Sequence, residues 1–211
     1  MEKRSGLSVG ILEVGFGNLP SLQRVLRQID FNVEIILDAD LLIETNYLII
    51  PGVGSFSTAM SFLNKTGLAE SIKYRCDTLG KPTLGICLGA QILLEEGHEG
   101  GKSLGVGVFE GRVVKSSDYL KNKSARNGWD VIEIVRPVLD LYPGTKLDTY
   151  FNHDFIFSDT DENHVCAVAN HGGVFPVILQ KNQTFAVQFH PEKSQSAGLH
   201  LLKSFLGLTH V

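Results

Sequence analysis

The sequence predicts an α/β fold: a mostly parallel central sheet flanked by helices, with a β-rich second half. Three observations carry this. Residues 7–96 alternate short apolar runs with helix-period patterns, which implies parallel strands joined by right-handed crossovers. Residues 106–190 then read as strands separated by turn signals such as HGG and KNQ. The 211 residues suffice for one sizeable core and are short for two, against a prior of roughly 150 per domain. One domain over residues 1–211 is therefore expected, with no internal repeat, low-complexity segment or Pro/Ser-rich linker.

In chain order, LSVGILEV (7–14) reads as a buried strand. Asn18 can cap a helix that places Leu19, Leu22, Val25, Leu26 and Ile29 on one face. NVEIIL (32–37) and YLIIPG (47–52) are further strands. Residues 55–64 and 67–79 follow a helical period, the second with Leu68, Ile72, Cys76 and Leu79 on one stripe. PTLGIC (82–87) is a strand, and a helix is expected through LGAQILLEE (88–96). After the glycine-rich loop at Gly97–Gly101, the segments VGVFEGRVVK, WDVIEIV, TYFNHDFIF, CAVAN, VFPVILQ and TFAVQFH are strands. SAGLHLLKSFLGL closes the chain as a helix.

Composition excludes several classes of function. Hydrophobic residues make up 43% and charged residues 20%, as in an ordinary globular enzyme. A formal net charge of −4 supplies no basic footprint, so nucleic acid is not an expected partner. No apolar run approaches the ~18 residues of a membrane span. The start MEKRSGLSVGILEV is charged, and Gly10 and Glu13 interrupt its short apolar stretch, which suits a strand and not a signal peptide. Three scattered cysteines, Cys76, Cys87 and Cys166, argue against a disulfide framework and for a reducing, cytoplasmic setting in which a thiol can be a reagent.

The chemistry concentrates in three short stretches. Gly85-Ile86-Cys87-Leu88-Gly89 has the form of a nucleophile elbow: a strand, a tight turn with the nucleophile at its apex, then a helix. Cys87 would sit at a helix N-terminus, where unpaired N–H groups favour the thiolate, and the Leu88 N–H is a natural oxyanion donor. A buried cysteine at a strand–helix junction is the alternative on this pentapeptide alone. A thiol nucleophile also needs a base and a group to orient that base. In TFAVQFHPEKS (184–194), Pro191 cannot continue a ladder, so the strand is expected to stop at His190, and Glu192 can curl back to the imidazole. In YLIIPGVGSF (47–56) a strand runs into Pro51-Gly52-Val53-Gly54, and the Val53 or Gly54 N–H is a candidate second oxyanion donor; a plain βα turn would look the same.

With these pieces assembled, the chain resembles the class I, or triad, glutamine amidotransferases, which carry a flavodoxin-like α/β fold. Within that family it is most similar to the glutaminase subunits of imidazole glycerol phosphate synthase. GILEVGFGNLPSL, PGVGSF, LGICLGAQILLEE, GVGVFEGRVVK, the GW at 128–129, YFNHDF (150–155) and FHPEKS all line up, so the resemblance covers nearly the whole chain. It implies Cys87, His190 and Glu192 as catalytic triad, Gln91 as a contact to substrate glutamine, and an oxyanion hole at Leu88 and Val53 beside Gly52 and Gly54. It implies no cofactor and no metal. The implied partner is a (β/α)8-barrel synthase (cyclase) subunit, in a heterodimer that makes imidazole glycerol phosphate and AICAR in histidine biosynthesis. Ammonia freed in water becomes ammonium and loses its lone pair, so passage to a partner is also the economical chemistry.

The chain departs from the family where the barrel would meet it. The usual Pro-His-Met-Gly-Trp-Asn is here Ala125-Arg126-Asn127-Gly128-Trp129-Asp130, and the usual Phe-Val-His-Ser/Thr-Tyr is Phe151-Asn152-His153-Asp154-Phe155. The first turn reads Glu13-Val14-Gly15-Phe16 where Asp-Tyr-Gly-Met is commoner. A paralogous glutaminase feeding a different acceptor, such as a surface-sugar amidotransferase, is one alternative; a stand-alone elbow-cysteine hydrolase is another.

Other signals are weaker. Gly15-x-Gly17 would need its third glycine at Pro20, so no dinucleotide site is expected. His153, His164 and His171 lack ligand spacing, and no zinc site is expected. His153 and Asp154 read as a surface pair or an interface border, Cys76 and Cys166 as inert packing, and Lys121, Lys123 and Arg126 as a solvated basic loop or a contact to an acidic partner surface.

Overall fold

A computed structural model of the chain describes residues 7–13, 19–29, 31–120 and 126–208. Asn18, the Glu13–Phe16 turn beyond Glu13, Gly17, Lys121, Lys123, Ala125 and the Arg126 side chain lie outside what is described.

The first half alternates as its periodicity requires: β1 (Ser8–Leu12), α1 (Leu19–Gln28), β2 (Asn32–Ile36), α2 (Ala39–Glu44), β3 (Tyr47–Ile50), α3 (Phe56–Thr66), α4 (Leu68–Lys73), β4 (Thr83–Ile86) and α5 (Leu88–Gln91). The caps are chemical. Asp38 accepts from the Leu41 N–H at the start of α2, and the Ser55 hydroxyl accepts from the Thr58 N–H at the start of α3. Gly67, at φ 73°, ends α3 in the left-handed conformation that only glycine adopts without strain.

The second half contributes β5 (Leu94–Gly97), β6 (Ser103–Leu104), β7 (Phe109–Lys115), α6 (Ser116–Tyr119), β8 (Arg126–Ile134), β9 (Lys146–His153), β10 (Phe155–Ser158), β11 (Val165–Asn170), β12 (Val174–Lys181), β13 (Thr184–Val187) and α7 (Gln195–Phe205). Nine strands form one sheet in the order β2-β1-β3-β4-β13-β12-β11-β8-β9, and four form a second in the order β10-β7-β5-β6. The pairs from β2 through β13 are parallel; β12, β11, β8 and β9 continue antiparallel. One apolar cluster, including Val9, Leu26, Leu84, Val187 and Phe205, packs on one face of the large sheet. A second, including Leu48, Phe56, Leu63, Phe109 and Ala186, packs on the other and reaches the small sheet.

Four expectations are corrected. The helix through 88–96 stops at Gln91, and Leu94–Gly97 is a strand beside β7. Ile92, Leu93 and Leu94 are all buried, a contiguous run that one face of a helix cannot bury, and the carbonyls of Ile92, Leu93 and Leu94 accept from Val106, Val108 and Gly107. The helix over 67–79 becomes π-helical at Tyr74–Thr78, which rotates Leu79 out to 38% exposure and turns Arg75 inward. TYFNHDFIF is two strands: the chain leaves the large sheet after His153 and joins the small one at Phe155. The last strand stops at Val187, three residues before His190.

Candidate active site

Adjacent parallel strands open at one edge, and that brings the three stretches together. Ile50 of β3 pairs with Gly85 of β4, and Ile86 of β4 with Val187 of β13. The chain beyond each strand, namely Pro51–Gly54, Cys87–Gln91 and Gln188–Glu192, therefore leaves the sheet side by side.

Cys87 occupies the turn between β4 and α5 at φ 53°, ψ −109°, a conformation that costs a non-glycine residue of order 1–3 kcal/mol. Its N–H donates to the Val187 carbonyl at 2.8 Å, tying the apex to β13. The flanking glycines are set by close approach: a Cβ on Gly89 would lie 1.7 Å from the Ile50 carbonyl oxygen, and one on Gly85 2.6 Å from that of Gly89. Gly52 is equally confined, since a Cβ there would lie 2.9 Å from the Leu88 Cβ. The Leu88 N–H opens α5, where no intrahelical acceptor exists for it.

His190 and Glu192 follow β13 on a short 3₁₀ turn, Pro191–Lys193. The His190 Nδ1–H donates to Glu192 Oε1 at 2.8 Å, and both side chains are buried. The other ring nitrogen, Nε2, is buried without a formed hydrogen bond and lies in the field of Cys87. Burial pushes the imidazole's pKa down, but interaction with Cys87 and Glu192 outweighs it and raises the value to about 9. The backbone is pinned too. The His190 N–H donates to the Tyr150 carbonyl, while the Ser194 hydroxyl donates to the His190 carbonyl and accepts from the Tyr150 N–H.

In front of Cys87 lies a cavity of about 360 Å³, at the small end of the range for ligand pockets. Of the residues singled out from sequence, Val53, Gly54, Cys87, Leu88 and Gln91 line it; Gly52, His190 and Glu192 are not among its lining residues. Sequence reasoning did not assign Glu99, Asn127, Asn152 or Phe155 to a site, yet all line the cavity. Glu99 comes from the glycine-rich loop and accepts from the Phe56 N–H at 2.6 Å; only the loop's length and its single carboxylate hinted at it. His153, read as a surface residue, is buried on the cavity wall beside exposed Asp154. Cys76 and Cys166 are buried thiols whose pKa burial raises, to about 11 for Cys166. No group of three or more His, Cys, Asp or Glu side chains gathers as metal ligands would among the described residues. No helix among them is long and apolar enough to cross a membrane.

Cys87 at the apex of a strand–turn–helix elbow on a mixed sheet, near a buried histidine–carboxylate pair, is compatible with the chemistry of an amidotransferase, and the family model for class-I glutamine amidotransferases matches residues 11–207. The chain belongs to that family. It is 42% identical over 202 residues to the imidazole glycerol phosphate synthase subunit HisH 1 of Campylobacter jejuni (strain RM1221), covering 95% of this chain and all of the relative. It is 38% identical to the subunit HisH of Caldanaerobacter subterraneus subsp. tengcongensis, over 93% of this chain and 96% of that one. Among solved structures, PurLQS from Thermotoga maritima superposes with a TM-score of 0.77 at 16% identity, over 95% of this chain and 98% of that chain, a likeness of fold alone.

Proposed function

We propose that the chain is the glutaminase subunit of an imidazole glycerol phosphate synthase: it hydrolyses glutamine to glutamate and ammonia and passes the ammonia to a (β/α)8-barrel synthase subunit in histidine biosynthesis. The observation that carries the reading is that Cys87, which lines the cavity, meets the paired His190 and Glu192 at the mouth of three neighbouring strands. The names of the HisH relatives, matched over their full or nearly full length, support the pathway.

In this reading the Cys87 sulfur, as thiolate, attacks the carboxamide carbon of glutamine. The oxygen becomes an oxyanion facing the N–H groups of Leu88 and of Val53 or Gly54. His190, held protonated by Glu192, gives its proton to the nitrogen as the C–N bond breaks, releasing ammonia and leaving a γ-glutamyl thioester. Water, deprotonated by the now neutral His190, attacks the thioester; glutamate leaves and the thiolate returns. Gln91 contacts the bound glutamine.

Cys87→Ala is expected to fold normally and release no glutamate; retained turnover would refute the mechanism. A glutamine-mimicking diazo-ketone should label Cys87 and spare Cys76 and Cys166. The departures at Asn127 and at Asn152–Phe155 fall on the cavity wall, and they favour one second reading: a paralogous glutaminase serving another acceptor. Glutaminase activity that a barrel synthase and its ribonucleotide fail to stimulate would select that reading.

A further inference from the structure

We infer that Gln188 is a positioning residue that fixes the polarity of the Gln91 amide, so that a carbonyl oxygen and not an amino group faces the substrate cavity; the inference rests on the glutaminase reading above. Gln91 lines the cavity beside Cys87 and is itself almost fully buried. Its Nε2 donates to the backbone carbonyl of Phe155 at 3.2 Å and to Gln188 Oε1 at 3.3 Å. A backbone carbonyl can only accept, so the contact to Phe155 sets which end of the Gln91 amide is nitrogen. Because that nitrogen is a donor, Gln188 must turn its own oxygen toward it. The polarity therefore runs without ambiguity from Phe155 through Gln91 to Gln188. Both Nε2 hydrogens are used, and Oε1 is the hydrogen-bonding atom that Gln91 has left to offer a ligand. Only a hydrogen-bond donor of a ligand, such as the N–H groups of glutamine, can meet it.

The cost of this arrangement argues that it serves function. Gln188 is wholly buried, and its Nε2 has no hydrogen-bond partner. A buried unpaired donor is destabilising, and an apolar side chain of the same length would fill the space without it. The Gln188 N–H already donates to the Val177 carbonyl at 2.9 Å, so the backbone does not need the side chain to hold it. What the side-chain amide supplies is the second acceptor for Gln91. With Phe155 alone, the Gln91 amide could swing about a single hydrogen bond.

The test compares Gln188→Met with wild type, alone and in a Gln91→Ala background, in complex with the partner subunit. The expected result is a roughly tenfold fall in kcat/KM for glutamine, equivalent to the loss of one modest hydrogen bond. Thermal stability should be equal to or higher than wild type, and alkylation of Cys87 by iodoacetamide, which needs no recognition of glutamine, should change less than about twofold. In the Gln91→Ala background, Gln188→Met should cost nothing further. Unchanged kcat/KM, a fall that multiplies with Gln91→Ala, a parallel fall in iodoacetamide alkylation, or a variant that melts below wild type or does not fold would each overturn the inference. A wild-type complex that releases no glutamate would instead overturn the glutaminase reading itself.

Discussion

Cys87 and His190 are held in states that neither would adopt alone, and both can be perturbed predictably. The elbow conformation persists because Gly89 lets the first turn of α5 lie directly on the Ile50 carbonyl. Gly89→Ala must push β3 and α5 apart, and is expected to destabilise the fold by about 3 kcal/mol or more, read as a lower midpoint in urea. For His190 the linkage has a definite sign. An unfolded histidine titrates near 6.5 and the folded one at about 9, so the folded chain keeps a proton that the unfolded chain releases between those values. The resulting stabilisation is complete below about pH 6.5 and is lost as pH rises through about 9. Glu192→Gln should flatten that decline in thermal midpoint. It should also move the alkaline limb of kcat/KM below its wild-type position near pH 9; identical profiles would deny the carboxylate its role. At this scale the sequence was informative wherever chemistry and spacing fell within a few consecutive residues, as in Gly85–Gly89 and His190–Glu192. Glu99 and Asn127 reach the cavity through tertiary folding, and no local pattern marks Asn127.

Elements follow periodicity until a tertiary partner overrides it. Ile92–Leu94 is as apolar as a helix face requires, but its backbone is claimed by Val106–Phe109, and only the fold reveals that competitor. Arg75 is the stronger case. It is fully buried, and its guanidinium donates to the carbonyls of Leu42, Thr45, Asn46 and Pro82 and to the Thr83 hydroxyl. Burial lowers its pKa to about 10, with Cys76 opposing the shift. The π-helical turn at Tyr74–Thr78 carries Arg75 inward, joining the end of α2 to the starts of β3 and β4. A charged side chain in a helical stripe ordinarily reads as solvated, so this staple was invisible to pattern analysis. Arg75→Met would strand several buried carbonyls, and is expected to lower stability by about 3 kcal/mol or more. Arg75→Lys should recover little, because one ammonium cannot span that spread of acceptors. Chemical denaturation of both variants checks this, and an Arg75→Met variant as stable as wild type would remove the staple.

At the scale of the molecule, the end of the large sheet connects the candidate site to an exposed surface. Trp129 on β8 is 49% exposed and stacks edge-on against Tyr150 on edge strand β9, with ring centroids 6.0 Å apart. Lys193 lies over the Tyr150 ring at 5.4 Å, and the Tyr150 hydroxyl donates to Asn127 Oδ1 on the cavity wall. The same Tyr150 holds His190 and Ser194 through its backbone carbonyl and N–H. Exposed aromatics of this kind, beside an opening from which ammonia must leave without meeting water, suit the proposed synthase partner. A partner seated there would bear on Tyr150, and through its hydrogen bonds to the His190 N–H and to Ser194 on the His190 backbone. Trp129→Ala is therefore expected to weaken the complex tenfold or more in titration calorimetry, equivalent to about 1.4 kcal/mol or more. Because the indole is half exposed and fills no core space, the isolated variant should melt within a few degrees of wild type. Its Cys87 should react with the diazo-ketone at the wild-type rate when the partner is absent. A variant that binds the synthase undiminished would place the docking surface elsewhere, and with it the route by which a partner could reach His190.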